Sequence, residues 1–347
     1  MRDFASRVSI RDIARAAETS VSTVSRALND HPDVSPETRE RILRIAQAYG
    51  YERNMLAHSL ISGRSGLISV IMPDIDYDYQ LQFLRGMTHA AQRFGQELLL
   101  TVKDTGSETI EACQSMYRRG IADGVIIFSP PVEGAGALRQ LQEAGFPVVS
   151  FHPPEPLEGL TSVEPMDYEG GVIAVQHLAA LGHRRIGMVV EAPDRIAGYE
   201  RLRGYRDALT QAGIPYDPDL VIAIPAKQPL IAGRASIRQW LEASVEFTAV
   251  FCFNDLVAYG VIEELASHGI GVPERVSVVG FDDIPASEYF GRGGLTTVKQ
   301  PITQIGELAL ETLLLLCDGK SQPGQRVQVP VELVVRGTTC VAPAATR

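Results

Sequence analysis

The sequence predicts a small all-helical module followed by two α/β domains, each built on a mostly parallel sheet. Capped amphipathic segments follow one another closely through the first 50 residues. Short apolar runs then alternate with helical patterns, as they do where parallel sheets are covered on both faces. At 347 residues the chain is long for a single core and suits two or three domains.

The first helix is read from Ser9-Ile-Arg-Asp12, a hydroxyl followed three residues on by an acid, close to a capping box. Ile10, Ile13, Ala14 and Ala17 supply its apolar stripe, and Glu18-Thr19 breaks it. Ser20 caps the second helix, with Val21, Val24, Ala27 and Leu28 at helical spacing. The third opens on Ser35-Pro36-Glu37: a cap, a proline at the first helical position, an acid in the first turn. Ile42, Leu43, Ile45 and Ala46 form its core face, and Gly50 stops it.

Helix, short break, helix is the helix-turn-helix arrangement, whose second helix lies in the DNA major groove. Here that second helix begins with short side chains. At about 100° per residue Ser22 and Arg26 lie together, with Val24 and Leu28 opposite. Small groups at Val21 and Ser22 let the backbone approach a groove floor, and the helix N-terminus offers N–H groups to phosphate. Arg26 suits a guanine edge or a phosphate. A plain three-helix bundle gives the same pattern, with Thr23 and Ser25 as surface hydroxyls bonded to the preceding turn.

Charge divides the chain in the same place. Residues 1–65 hold ten arginines against eight acids, while the remainder holds 22 Lys or Arg against 34 acids. A polyanion is tolerated only at the N-terminal end. No run of about 18 apolar residues exists, so no membrane span is expected, and no secretory signal is visible. Four scattered cysteines (Cys113, Cys252, Cys317, Cys340) lack metal-ligand spacing, which argues against zinc and for reduced thiols in a cytoplasmic protein.

The stretch from Val8 to Tyr51, with Thr19-Ser20-Val21-Ser22-Thr23-Val24-Ser25-Arg26-Ala27-Leu28-Asn29 at its centre, resembles the headpiece of the lac-repressor (LacI/GalR) family of bacterial transcription regulators. Thr19 stands where the family often has Val. The resemblance implies that Val21, Ser22 and Arg26 read base edges. It implies that Ser20, Thr23, Ser25 and Asn29 hold phosphates or buttress the helix, with Ser9 joining the DNA-binding set.

Residues 51–65, YERNMLAHSLISGRS, contain a seven-residue candidate helix from Met55 to Ile61, capped by Asn54 and ended by Gly63. So short a helix is marginal unless packed or bound. Leu56, Leu60 and Ile61 either dock on the next domain or serve the family's second use. By resemblance, Ala57 and Leu60 belong to a hinge helix that enters the minor groove and wedges a leucine at a base step.

Seven apolar runs follow: 67–73, 97–102, 124–129, 147–151, 185–190, 249–253 and 276–281. Catalytic motifs are missing. GAGAL at 134–138 fails as a dinucleotide loop because position 139 is Arg, and no GxxxxGK[ST], GxSxG or HExxH occurs. His183 in LGHRRI reads as a turn residue. The stretches HLAALGHRRIGMV, YERLRGYRDALTQAGI, FCFNDLVAYGVIEEL, VPERVSVVGFDDIPAS and PVELVVRGTT resemble the same family's effector core, which is similar to periplasmic sugar-binding proteins. Two Rossmann-like lobes joined by three crossovers, near 164, 292 and 328, are implied. The expected domains are a headpiece at 1–52, a hinge at 53–65, a first lobe at 66–163 plus 293–327, and a second at 164–292 plus 328–341.

Ligands in such folds sit beyond the carboxyl ends of strands. There the resemblance places Arg201, Asn254 and Asp282 as donors to and acceptors from a ligand. Asn254 also reads as a helix cap and Asp282-Asp283 as a turn, and an Arg201–Asp282 pair without ligand is the alternative. His152 stands where the family has an acid. Tyr77-Asp78-Tyr79-Gln80 replaces its Asn-Pro-Phe-Phe, and no aromatic lies near Gln228. Tyr77, Tyr79 and Phe128 either stack on a sugar ring or simply pack.

The expectation is a homodimeric, sequence-specific transcription regulator, most simply a repressor. It would bind a pseudo-palindromic double-stranded operator under control of a small polar effector, a sugar or related metabolite, with no cofactor, metal or membrane partner. A cytoplasmic binding protein without gene regulation is the first alternative, and an enzyme on a Rossmann-like scaffold the second.

Overall fold

A computed structural model describes residues 8–28, 30–51, 64–75, 77–103, 106–130, 135–153, 159–191, 196–225, 227–291 and 293–344. The chain divides into two units, Met1–Ser65 and Gly66–Arg347. The candidate hinge, with Ala57 and Leu60, lies outside the described residues, as does Asn29.

The N-terminal unit holds α1 (Ile10–Ala16), α2 (Val21–Leu28) and α3 (Pro36–Ala48). Asp12 closes the start of α1, accepting from the Ser9 N–H at 2.9 Å and the Ser9 hydroxyl at 2.7 Å. Those two bonds hold its carboxyl below the usual range. Ser20 caps α2 by accepting from the Thr23 N–H, and Ser35 caps α3 by accepting from the Thr38 N–H. Ile13, Ala14, Ala17, Val24, Ala27, Val34, Ile42 and Ala46 form the core of this unit. Leu43, expected in that core, is 46% exposed. It lies one step of about 100° beyond Ile42, which carries it out of the narrow stripe a short bundle can bury.

The larger unit is two lobes. In the first, six parallel strands run in the order β11-β5-β4-β3-β1-β2. These are β1 (Leu67–Met72), β2 (Glu97–Val102), β3 (Gly124–Phe128), β4 (Val148–Phe151), β5 (Thr161–Pro165) and β11 (Arg326–Val329). Helices α4 (Asp78–Phe94) and α11 (Ile302–Cys317) cover one face, with Phe83, Met87, Leu310 and Leu313 in the core. Helices α5 (Gly106–Arg119) and α6 (Ala135–Glu143) cover the other through Cys113, Leu138 and Leu141.

The second lobe repeats the plan in the order β12-β10-β9-β8-β6-β7, with β12 antiparallel to β10. Its strands are β6 (Ile186–Glu191), β7 (Val221–Ile224), β8 (Ala249–Cys252), β9 (Ser277–Asp282), β10 (Thr296–Lys299) and β12 (Glu332–Val334). Helices α7 (Asp167–Ala180) and α8 (Ile196–Gln211) pack on one face, and α9 (Pro229–Glu242) and α10 (Asp255–Ser267) on the other.

The chain crosses between lobes at residue 166, between Lys299 and Ile302, and between Val329 and Glu332. The second crossing corrects the expected position near 292. Thr296–Lys299 pairs in register with Val279–Asp282, so β10 finishes the second sheet before the chain returns.

Three of the four helix pairs touch through reciprocal glycines. A Cβ on Gly86 of α4 would stand 1.9 Å from the Thr303 carbonyl oxygen, and one on Gly306 of α11 2.2 Å from that of Phe83. Gly171 and Gly204 do the same for α7 and α8, at 2.5 Å from Arg201 O and 2.2 Å from Tyr168 O. Gly233 and Gly260 do so for α9 and α10, at 2.3 Å from Val257 O and 2.0 Å from Leu230 O. Only hydrogen fits at these crossings, so each pair has one permitted separation. No described helix is long and apolar enough to cross a membrane.

His183 is fully buried beyond its turn. Its ring nitrogens meet Thr248 Oγ1 and Ser277 Oγ, each at 3.0 Å, and the Cys340 carbonyl at 3.1 Å. Burial holds its pKa below the ordinary value, against the pull of the Cys340 carbonyl, and burial acts the same way on His177. A depressed folded pKa means that the unfolded chain takes up protons first. This stability is present above about pH 6.5 and lost as pH falls through it. The unfolding midpoint is therefore expected to drop between about pH 7.5 and about pH 5.5. His183→Gln flattens that slope, as thermal melts at the two pH values will show.

Candidate functional site

Two surfaces gather the residues singled out by the sequence. On α2, Val21, Ser22 and Arg26 are exposed, while Val24 and Ala27 are buried. Ser20 Oγ lies 2.7 Å from Ser22 Oγ and 2.8 Å from Thr23 Oγ1, which gathers three hydroxyls at the helix N-terminus. Thr23 and Ser25 are half-buried, and Ser9 is exposed at the start of α1. The result is a slim, hydroxyl-rich leading end with one cation a turn behind it.

The second surface is a cleft of about 650 Å³ in the larger unit, within the size range of small-molecule sites. Tyr77, Tyr79, Phe128, His152, Arg201, Asn254 and Asp282 all line it. Parallel strands deliver them: Phe128 ends β3, His152 follows β4, Asn254 follows β8 and Asp282 ends β9. Ser129, His152, Gln228 and Asp282, all on the cleft, have positive φ despite carrying side chains. Such strain persists where surrounding structure enforces it, and it clusters at functional sites.

Arg201, 2% exposed, is the centre of the polar floor. Its Nε donates to Asp167 Oδ1 at 2.8 Å and its Nη1 to the Phe253 carbonyl at 2.5 Å, while Asp282 Oδ1 lies 4.0 Å away. The guanidinium sits 3.6 Å over the Phe281 ring and 4.4 Å from that of Phe253. Its main partner is thus Asp167 rather than Asp282. Asp167 binds His152 Nε2 at 2.9 Å through its other oxygen. Burial pushes the Asp167 carboxyl up, but Arg201 and His152 outweigh it and hold the pKa below the usual range.

Asp282 differs. Burial pushes its carboxyl well up; Arg201 opposes this, and Asp255 and Asp167 reinforce it. Asp282 Oδ1 accepts from Gln300 Nε2 at 2.6 Å, and Gln300 Oε1 accepts from the Tyr79 hydroxyl at 3.0 Å. Two chains of contacts therefore join the lobes around the cleft, His152–Asp167–Arg201 and Tyr79–Gln300–Asp282.

The alternative readings hold in part. Asn254 caps α10, its Oδ1 accepting from the Val257 N–H at 2.9 Å, whereas Asp282 ends β9 rather than forming a turn, with positive φ there and at Asp283 of 108° and 55°. Phe128 is 5% exposed, and its ring meets Tyr79, Phe83 and Phe151 with centroids 4.7–6.0 Å away, so it is packed within an aromatic cluster. Sequence reasoning missed Asp167 and Gln300. Asp167 reads as an ordinary first-turn acid, and Gln300 sits in a crossover whose position was misplaced.

Comparison with known proteins matches a family to each unit. Residues 9–54 match the family described as bacterial regulatory proteins, lacI family, and residues 175–339 match the periplasmic binding protein-like domain. The chain is 30% identical to the HTH-type transcriptional regulator DegA of Bacillus subtilis (strain 168) over 336 residues, 96% of this chain and 98% of DegA. It superposes on the lac repressor dimer bound to operator and the anti-inducer ONPF with a TM-score of 0.85 at 26% identity, covering 96% of this chain and 99% of that one. Against the transcriptional regulator CelR–cellobiose complex the TM-score is 0.72 at 30% identity, over 96% of this chain and all of that one.

Proposed function

The chain belongs to the lacI family of bacterial regulatory proteins, and from that premise we propose that it is a homodimeric repressor whose grip on a pseudo-palindromic operator is set by a small polar effector. The observation that carries this is the outward face of α2. Val21, Ser22 and Arg26 point to solvent together on a helix whose other side is the core of its own unit. Val21 and Ser22 approach base edges, Arg26 pairs with a guanine or a phosphate, and Ser9, Ser20, Thr23 and Ser25 face the backbone. Asn29 joins them, and Ala57 and Leu60 act from the hinge. The protein works in the cytoplasm, where its operator is.

The effector occupies the cleft, between Arg201, Asn254 and Asp282 of the second lobe and His152, Tyr77 and Tyr79 of the first, with Phe128 packed against Tyr79. A ligand that competes for the contacts joining the lobes binds one lobe arrangement better than another, and only such a difference transmits a signal. The test is a selection of genomic fragments followed by gel shifts. The full chain is expected to select a two-fold-related site and to lose affinity steeply with salt. Deleting residues 1–62 is expected to weaken that binding by at least about a thousandfold, the gap between specific and non-specific association, with ligand binding retained. A truncated chain that still footprints the site would refute the assignment.

A further inference from the structure

We propose that Asp255 and Arg336 are positioning residues for the effector: they hold the strained exit of β9, which brings the Asp282 carboxyl to the cleft, and so set effector affinity without touching the effector. The proposal rests on the effector role given to the cleft above.

The chain leaves β9 through two successive residues at positive φ, Asp282 at 108° and Asp283 at 55°. Neither is glycine, and such a backbone persists only where its surroundings enforce it. Two side chains supply that enforcement. Asp255, the first residue of α10, is fully buried and accepts through Oδ2 from the Ile284 N–H at 3.0 Å and from the Ser287 hydroxyl at 2.6 Å. Through Oδ1 it accepts from the Thr297 hydroxyl of β10 at 2.5 Å. One carboxyl thus ties the segment after β9 to α10 and to the neighbouring strand. The fit is close, since a Cβ on Gly280 of β9 would stand 2.3 Å from Asp255 Oδ1. Arg336, just past β12, holds the other strained residue. Its Nη1 lies 2.7 Å from Asp283 Oδ1 and donates to the Leu295 carbonyl at 2.9 Å.

Among the described residues no cation pairs with Asp255, and burial pushes its carboxyl up to about 7 against the lowering effect of its three hydrogen bonds. A buried acid without a cation carries a desolvation cost, so its place in the fold is explained by what it accepts, and all three donors lie on segments that flank Asp282. Asp255, Asp283 and Arg336 do not line the cleft, whereas Asp282 and Ile284 do. Whatever the two holding residues contribute to a ligand therefore passes through the backbone at 282–284. Asp282 Oδ1 accepts from Gln300 Nε2 at 2.6 Å and lies 4.0 Å from Arg201 Nη1, and relaxing φ at Asp282 swings the carboxyl away from both.

The experiment titrates the full-length protein by calorimetry with ribose, glucose, galactose, glucosamine and cellobiose, and follows the tightest binder through the variants. Asp283→Ala and Asp283→Gly both remove the partner of Arg336, yet only alanine carries a Cβ into positive φ. Asp283→Ala is expected to bind at least about tenfold more weakly than the parent, and Asp283→Gly within about threefold of it. Asp255→Asn keeps an oxygen for the Ile284 N–H, and the hydroxyls of Ser287 and Thr297 accept as well as donate, so its affinity is expected to stay within about threefold. Asp255→Val strands the buried N–H and is expected to weaken binding at least about tenfold, as is Arg336→Met. The ligand-free unfolding midpoint of each variant is the control on the fold, and where Asp255→Val does not fold the two Asp283 variants carry the decision. Equal affinities in Asp283→Ala and Asp283→Gly overturn the proposal, and so does a loss in Asp255→Asn as large as that in Asp255→Val. A parent that binds operator DNA and none of the sugars removes the effector reading of the cleft and this proposal with it, while the DNA-binding role stands.

Discussion

Arg201→Ala is expected to lower the unfolding free energy of the larger unit by about 3–5 kcal/mol, the range for breaking a buried ion pair from one side, and to abolish effector binding. The size follows from what is left behind. Asp167 is 5% exposed and would lose the guanidinium that its Oδ1 accepts from, keeping the contact of its other oxygen with His152 Nε2. The ring faces of Phe253 and Phe281 would also lose the guanidinium between them. Arg201→Lys does not rescue, because one ammonium cannot reproduce the planar fork that meets a carboxylate and a carbonyl together. Adding Asp167→Asn to Arg201→Ala removes the stranded charge, so the double variant is expected to be more stable than the single one. Urea unfolding of the four proteins in this cycle measures the coupling, and a single variant within about 1 kcal/mol of the parent would contradict the account.

That pair was half visible in the sequence. Arg201 could be named because it lies in a stretch similar to a known family. Asp167 could not, because it lies on a different helix, 34 residues away, and its first-turn position already explains an acid. The same contrast runs through the fold. Runs such as Val125–Phe128 announce themselves because a parallel strand buried on both faces is apolar throughout. The strand β5, TSVEP, is equally buried but silent in the sequence. Its polar side chains find partners distant in the chain, Thr161 in Gly324 and Glu164 in Arg326, besides the local bond from Ser162 to Glu164. A crossover near 292, as the resemblance implies, puts β10, TTVK, in the wrong lobe, since it pairs with β9. Thr297 donates to the buried Asp255 carboxylate, a contact that no local pattern records. Helix caps were legible because their partners lie within four residues, and the two faces of α2 because helical spacing alone separates Val24 and Ala27 from Ser22 and Arg26.

Gly204→Ala is expected to destabilise the larger unit and to weaken effector binding at least tenfold, although the same change in an open helix is favourable. The control is Gly136, a helical position where an added Cβ meets nothing within 4 Å. Gly136→Ala should gain up to about 1 kcal/mol, the helix-propensity difference between the two residues. At Gly204 that gain is opposed by a Cβ 2.2 Å from the Tyr168 carbonyl oxygen, which neither helix can absorb without moving. Overpacking of this kind costs about 1–3 kcal/mol, so the net sign reverses. The functional effect has a separate cause. Helix α7 carries Asp167 and α8 carries Arg201, and the 2.8 Å bond between them fixes the guanidinium in the cleft. Separating the helices lengthens that bond. Gly187→Ala is the discriminating comparison, because its Cβ would stand 2.6 Å from the Trp240 ring, and neither residue lines the cleft. It should lower the unfolding midpoint and leave the Arg201–Asp167 pair intact. Equal losses of effector affinity in the two variants would mean that affinity follows overall stability, and the glycine crossing of α7 and α8 would then have no special part in holding the site.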